Sequence, residues 1–220
     1  MKKKLIVGAT LVVALVVLGL GQSKIQEPSI AASNDVMAPH FLVDPFWPKP
    51  LPNHWAMGNT IGVDVDERDH IFIVHRNDAS QFGGNTEIGL QGGVAECCTP
   101  APPIIEIDIE GNIINAWGGP VEGAPYTWPA SNHGIEIAPN GDVWIGGNGA
   151  GDSHVLVFTR DGEYIRTIGM QGEDRDSNSE THYGRVAEIA IDVEANEAYF
   201  ADGYQNKRVA VVDVATGAFK

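Results

Sequence analysis

The chain has 220 residues, 43% of them hydrophobic, with 29 acidic against 14 basic side chains and a formal net charge of −15. An acid excess of this size repels polyanions, so nucleic acid and anionic membrane surfaces are excluded as partners and the charge reads as a source of solubility. The only two cysteines are adjacent, at positions 97 and 98, and adjacent cysteines cannot staple distant strands as in a small disulfide-built domain.

Met1-Lys-Lys-Lys precedes a largely apolar run from Leu5 to Leu20 and the small residue Gly21, the pattern of a secretory signal peptide over residues 1–21. Removing it takes the charge from −15 to −18. The run is short for a bilayer span. The sequence therefore predicts a secreted or periplasmic protein that touches a membrane only if the signal stays in place as an anchor. Residues 22–40 are polar and predict a disordered leader. Residues 41–58 crowd prolines and aromatics into Val43-Asp-Pro-Phe-Trp-Pro-Lys-Pro-Leu-Pro-Asn-His-Trp, which predicts an irregular, extended strap lying on the body of the protein.

A repeat follows. Ile61 to Val74, His133 to Gly146 and Glu188 to Ala201 each read as an apolar strand, an acidic or Asn/Gly turn, and a second strand. Each is followed by a second hairpin: Ile104 to Trp117 turning at Glu110-Gly111-Asn112, Val155 to Ile168 turning at Asp161-Gly162, and Val209 to Lys220 turning at Thr216-Gly217. Four strands per repeat predict an all-β protein, a β-propeller, with blade one at 59–119, blade two at 132–172 and blade three at 185–220. Gly111 and Gly162 are each followed seven residues later by another glycine, whereas only three residues follow Gly217. A propeller closes with at least four blades, so the 220 residues read as the front half of a larger protein.

Residues 77–103 are an insertion within blade one that carries Glu96-Cys97-Cys98-Thr99-Pro100. A vicinal disulfide and a pair of thiols are both open readings, and the absence of a nearby histidine speaks against a metal bound by the pair alone. The chemistry-bearing residues sit at strand ends: Arg76 after the second strand of blade one, His133 at the first strand of blade two, Tyr204 after the second strand of blade three. These connections converge on one face. Spacing alone equally suits a histidine capping a backbone group, an arginine in a surface ion pair and a tyrosine packed between blades.

Gly203-Tyr-Gln-Asn-Lys-Arg-Val-Ala-Val-Val-Asp resembles the NHL repeat. From about Trp55 onward the chain more particularly resembles the catalytic domain of the peptidyl-α-hydroxyglycine α-amidating lyases, six-bladed propellers with a metal in the channel. Three segments carry the resemblance: Gly62-Val-Asp-Val-Asp with Ile73-Val-His-Arg, Asn132-His-Gly-Ile, and Tyr199-Phe-Ala-Asp-Gly-Tyr-Gln-Asn-Lys-Arg. The resemblance places His133 on the first of three zinc histidines, Arg76 on an active-site arginine and Tyr204 on the catalytic tyrosine. It places Val63 and Ile135 on residues whose backbone carbonyls bind a structural calcium. The family's other zinc histidines belong to later blades, and Gly184 and Gln205 stand where its two cysteines beside the tyrosine would form a disulfide.

The implied reaction cleaves the C–N bond of an α-hydroxyglycine-type substrate to an amide and glyoxylate. Zinc would act as Lewis acid, Tyr204 as general base and Arg76 as a clamp on the substrate carboxylate. The partner in this reading is a small peptide-like substrate. The alternative is a non-catalytic secreted propeller that presents its loops to a protein or glycan ligand and keeps His133 for a structural metal.

Overall fold

The computed structural model describes residues 39–77, 98–172 and 176–220. The expected signal peptide, nearly all of the leader and the centre of the blade-one insertion, Cys97 included, lie outside the described residues. The chain divides into two compact units, residues 1–44 and 45–220. In the first unit the described residues 39–44 form no strand.

Among the described residues of the second unit all regular structure is β. Two-residue strands β1 (Trp55–Ala56) and β4 (Thr99–Pro100) pair in parallel, a short regular element where the strap was expected to have none. The prolines preceding β1 end at Pro52, which leaves Trp55 and Ala56 free to bond through the backbone. Part of the strap packs: Trp47, Leu51, Trp55 and Met57 lie against buried Ile73, Ala101, Ile105 and Ile107, whereas Phe46 is 86% exposed. Trp47 Nε1 donates to Ile109 O at 3.2 Å, and Lys49 N donates to Gly111 O at 3.0 Å.

Blade one is the antiparallel sheet of β2 (Asn59–Val65), β3 (Ile71–Arg76), β5 (Ile104–Ile107) and β6 (Ile113–Trp117) in that order. Blade two repeats it with β7 (Asn132–Ile137), β8 (Val143–Gly147), β9 (His154–Phe158) and β10 (Tyr164–Gly169). Blade three has β11 (Ile189–Asp192), β12 (Glu197–Asp202) and β13 (Arg208–Asp213), followed by a single bridge from Val212 to Phe219. The first strands of successive blades neighbour one another, β2 with β7 and β7 with β11. Up-and-down sheets joined along their first strands are the blades of a β-propeller.

The hairpin turns share one device. In the first hairpin of each blade a residue with positive φ donates back three residues: Asp69 (61°) to Asp66 O, Gly141 (88°) to Ala138 O and Asn196 (54°) to Val193 O. Asp, Asn and Gly are the residues that tolerate this conformation. The second hairpins have glycine at positive φ, with Gly111 and Gly162 donating back three residues and Gly217 four, to Asp213 O.

Sandwiching explains the strand composition. β5, β8 and β9 are buried along their whole length and are apolar apart from Glu106 and His154, because blades one and three cover blade two while the strap and blade two cover β5. Blade two packs on blade one through Phe72, Val74, Ile135 and Leu156, and on blade three through Trp144, Ile168, Phe200 and Val212. The recurring glycines have a packing reason too. A Cβ on Gly118 would lie 2.7 Å from Trp128 Cη2, and one on Gly169 2.7 Å from Tyr183 Cε2. Each outer strand thus ends under an aromatic ring of the following connection.

Candidate active site

His133 stands where β7 bulges near its start. On β7 the register shifts between Asn132↔Gly147 and Ile135↔Ile145, leaving one extra residue on the β7 side, and β2 shifts likewise between Thr60 and Gly62. A bulge re-aims a side chain that a regular ladder would hold in the pleat. In blade two the re-aimed residue is His133; the corresponding positions hold Ile61 and Glu188.

His133 Nδ1 lies 2.8 Å from Ala187 O at the edge of blade three, and its Nε2 lies 2.9 Å from the Tyr204 hydroxyl. A carbonyl only accepts, so Nδ1 carries the proton and the lone pair sits on Nε2. Tyr204 therefore donates to His133. Glycine allows this approach: a Cβ on Gly134 would fall 2.8 Å from Ala187 O.

Tyr204 itself is 55% exposed, on a loop that needs another anchor. Asp202, fully buried at the end of β12, supplies it. Its carboxylate accepts from Gly184 N, from Asn206 Nδ2 at 3.0 Å and from Arg208 Nε at 2.8 Å. Gly184 and Gln205 are neighbours, with Gln205 N donating to Gly184 O at 3.0 Å. A Cβ on Gly184 would lie 2.6 Å from Asn206 N, so hydrogen bonds and backbone fill the space that a disulfide would need.

Arg76 ends β3 and is 7% exposed, so it is a buried side chain rather than a surface one. Its Nε donates to Asn132 O at 3.4 Å and its Nη2 to Asn148 Oδ1 at 3.1 Å. Burial pulls its pKa below the ordinary value and the nearby Tyr204 pushes it up; a guanidinium stays charged throughout. Three blades thus bring Arg76, His133 and Tyr204 to one end of the first strands. The neighbouring His75 has a structural role. It is fully buried, accepts from Gly58 N through Nδ1 at 3.1 Å and donates from Nε2 to Pro102 O at 2.9 Å. Burial holds its pKa below the usual value.

Val63 and Ile135 lie on β2 and β7, which approach so closely that a Cβ on Gly62 would fall 2.9 Å from His133 O. Composition gave no warning of the carboxylates beside them. Asp64 accepts from Ile137 N at 2.6 Å and Glu136 from Ile191 N at 3.1 Å, so each carboxylate caps the first strand of the next blade. Burial, then Asp64 and Glu188, push the Glu136 carboxyl up to about 7.

Among the described residues, one group of three has metal-type ligands in range: Asp66, His70 and Glu106. It lies at the opposite end of blade one, beyond the β2–β3 turn, and sequence reasoning missed it because Glu106 is far along the chain. In residue type the group is compatible with a metal ion. Its oxygens, however, already accept from guanidiniums: Arg68 Nη2 reaches Glu106 at 2.8 Å and Asp66 at 3.2 Å, and Arg160 Nη1 bonds Asp66. His70 Nδ1 lies 2.7 Å from Glu106. As it stands the cluster ties blade one to blade two. Cys98 is disulfide-bonded, which removes a free thiol at that position.

No family model matches the chain. It is 24% identical over 164 residues to a probable peptidyl-alpha-hydroxyglycine alpha-amidating lyase of Caenorhabditis elegans, across 71% of this chain and 42% of that protein. The chain thus spans less than half the length of that relative. The resemblance read from three motifs therefore has a counterpart along most of the chain. Among solved structures, a catalytically inactive virginiamycin B lyase from Staphylococcus aureus with quinupristin aligns with a TM-score of 0.41 at 18% identity, over 77% of this chain and 56% of that one. A chain of a nidogen/laminin complex aligns with a TM-score of 0.40 at 12% identity, over 72% and 62%.

Proposed function

We propose that the full-length protein is a metal-dependent lyase of the amidating type, cleaving the C–N bond of an α-hydroxyglycine-type substrate to release an amide and glyoxylate. One observation carries the reading: the Tyr204 hydroxyl meets His133 Nε2 at 2.9 Å while Nδ1 is committed to Ala187 O. A backbone-fixed tautomer with its lone pair held toward the ligand side is how a protein prepares a histidine for a metal. In the amidating lyases that the chain resembles, His133 would be one of three zinc histidines, the other two standing in later blades of that family. Bound there, zinc would polarise the substrate hydroxyl and lower its pKa.

The chain's own residues supply the rest. Arg76, buried and held by two asparagines, presents a fixed cation for a substrate carboxylate. The Nε2 lone pair serves one partner at a time, so a metal on His133 would free the Tyr204 oxygen, which, once its own proton has gone to solvent, would as phenolate accept the substrate hydroxyl proton as C–N cleavage proceeds. The leaving amide nitrogen then needs a proton, which the same hydroxyl can return. Calcium, a hard cation suited to oxygen ligands, would be held in part by the Val63 and Ile135 carbonyls, and the chain would be exported through residues 1–21.

The test is glyoxylate release from an α-hydroxyglycine-terminated peptide by the full-length protein, with zinc counted by atomic emission. Glyoxylate at near-stoichiometric zinc is expected. No glyoxylate at any metal loading would leave the scaffold reading, a propeller that binds protein or glycan.

A further inference from the structure

We propose that Asn132 is the positioning residue that locks the carboxylate-binding Arg76 to His133 across the junction of blades one and two; the inference rests on the lyase reading above. Asn132 is fully buried and begins β7, directly before the bulge that re-aims His133. Three bonds converge on it. Trp128 Nε1 donates to its side-chain oxygen at 2.8 Å, its side-chain nitrogen donates to His75 O at 2.8 Å, and its backbone oxygen accepts from Arg76 Nε at 3.4 Å.

Chemistry fixes the orientation of this amide. An indole N–H only donates and a peptide carbonyl only accepts, so the oxygen must face Trp128 and the nitrogen must face His75. Asn132 therefore holds the backbone of the residue before Arg76 with its side chain and the Arg76 guanidinium with its own carbonyl. Asn148, bonded through its backbone N to Ser131 O at 2.9 Å, steadies the far side of the same guanidinium. The next residue in the chain is His133. The separation between carboxylate clamp and metal ligand is thus set by one buried amide, whose bonds to His75 and Arg76 cross from blade two to blade one.

Aspartate could replace only half of this, since its oxygen would face the His75 carbonyl with like charge. Alanine keeps only the backbone carbonyl that accepts from Arg76 and leaves the indole N–H and the His75 carbonyl without partners, so the segment that carries Arg76 is no longer held. Either way Arg76 loses its register while remaining present and charged. The predicted defect is selective for ligands with a carboxylate.

The test is a double-mutant cycle over Arg76→Ala and Asn132→Ala in the full-length protein, read by calorimetric affinity for N-benzoylglycine and for N-methylbenzamide, which lacks the carboxylate. Hydrogen bonds to charged groups are worth enough that Arg76→Ala should weaken N-benzoylglycine roughly 10- to 100-fold. Asn132→Ala should weaken it about tenfold, leave N-methylbenzamide unchanged, and add nothing in the Arg76→Ala background. If Asn132→Ala shows no cooperative melt, Trp128→Phe replaces it, removing the N–H that orients the amide, with the same selective loss expected.

Equal losses for both ligands, or losses that add, would show a general structural role and overturn the inference. So would wild-type protein that does not prefer N-benzoylglycine. Selective binding with an intact cycle but no glyoxylate release would sink the lyase reading and leave the Asn132 assignment standing.

Discussion

Glu136 gives a stability prediction that needs no substrate. Its carboxyl is half-buried on β7 and sits near Asp64 and Glu188, and burial together with those charges lifts its pKa from 4.5 to about 7. A carboxyl raised in the folded state contributes stability that is fully present below the unfolded value and is lost as pH rises through about 7. Moving a pKa from 4.5 to about 7 corresponds to about 3 kcal/mol. Water reaches this side chain, and screening reduces the effect to about 1–2 kcal/mol. Glu136→Gln keeps an oxygen for Ile191 N and removes the charge. The variant should match wild type at pH 4 and exceed it at pH 8 by about 1–2 kcal/mol, or roughly 2–8 °C in melting temperature. Urea titrations at the two pH values decide it. An equal difference at both would show that packing, not ionisation, governs Glu136, and a wild-type advantage at pH 8 would show the charge to be stabilising, as a bound cation would make it.

The other predictions concern the site and the blade junctions. His133→Ala should lower both zinc content and rate, whereas Tyr204→Phe should keep zinc and lose about 10²- to 10⁴-fold in turnover, checked by metal analysis beside the glyoxylate assay. Gly134→Ala drives a Cβ toward Ala187 O and should cost about 1–3 kcal/mol in urea unfolding, while Gly203→Ala, with nothing within 4 Å of its Cβ, should stay within about 0.5 kcal/mol. Arg160→Met leaves buried Asp66 and Glu106 with one guanidinium fewer and should destabilise by about 3 kcal/mol, by thermal melt, with no change in zinc content. Calcium chelation should lower the melting temperature of the full-length protein if the Val63 and Ile135 carbonyls hold that ion; an unchanged melt would remove calcium from the reading.

The blades were legible because their determinants are local. A period-two apolar pattern and a turn that demands Asp, Asn or Gly at one position fall within about fourteen residues, so Asp69, Gly141 and Asn196 announce their hairpins without reference to anything else. The paired glycines were legible as a repeat but not as a cause. Gly118 and Gly169 recur because Trp128 and Tyr183 pack on them, and that requires knowing where the following connection returns. The Asp66–Arg160 tie was invisible for a similar reason, since its partners lie 94 residues apart and both sit among many charges.

The convergence of three residues was legible in the sequence, and what holds them together was not. His133, Arg76 and Tyr204 stand at strand ends that a propeller must bring together, so topology alone predicted their common face. What fixes each of them is a backbone group or a buried amide supplied by another blade or by a neighbouring loop: Ala187 O for His133, Asn132 and Asn148 for Arg76, the Asp202-anchored loop for Tyr204. A carbonyl oxygen has no residue type, and an asparagine before a histidine looks like any turn residue. The chemistry of such a site is therefore written in side chains that a sequence displays, while its precision resides in the packing of one blade on the next. Gly62 and Gly134 are where that packing is closest, with His133 O and Ala187 O filling the space a side chain would take. A change at either glycine should consequently disturb the site as much as the fold, even though neither residue can touch a substrate through a side chain.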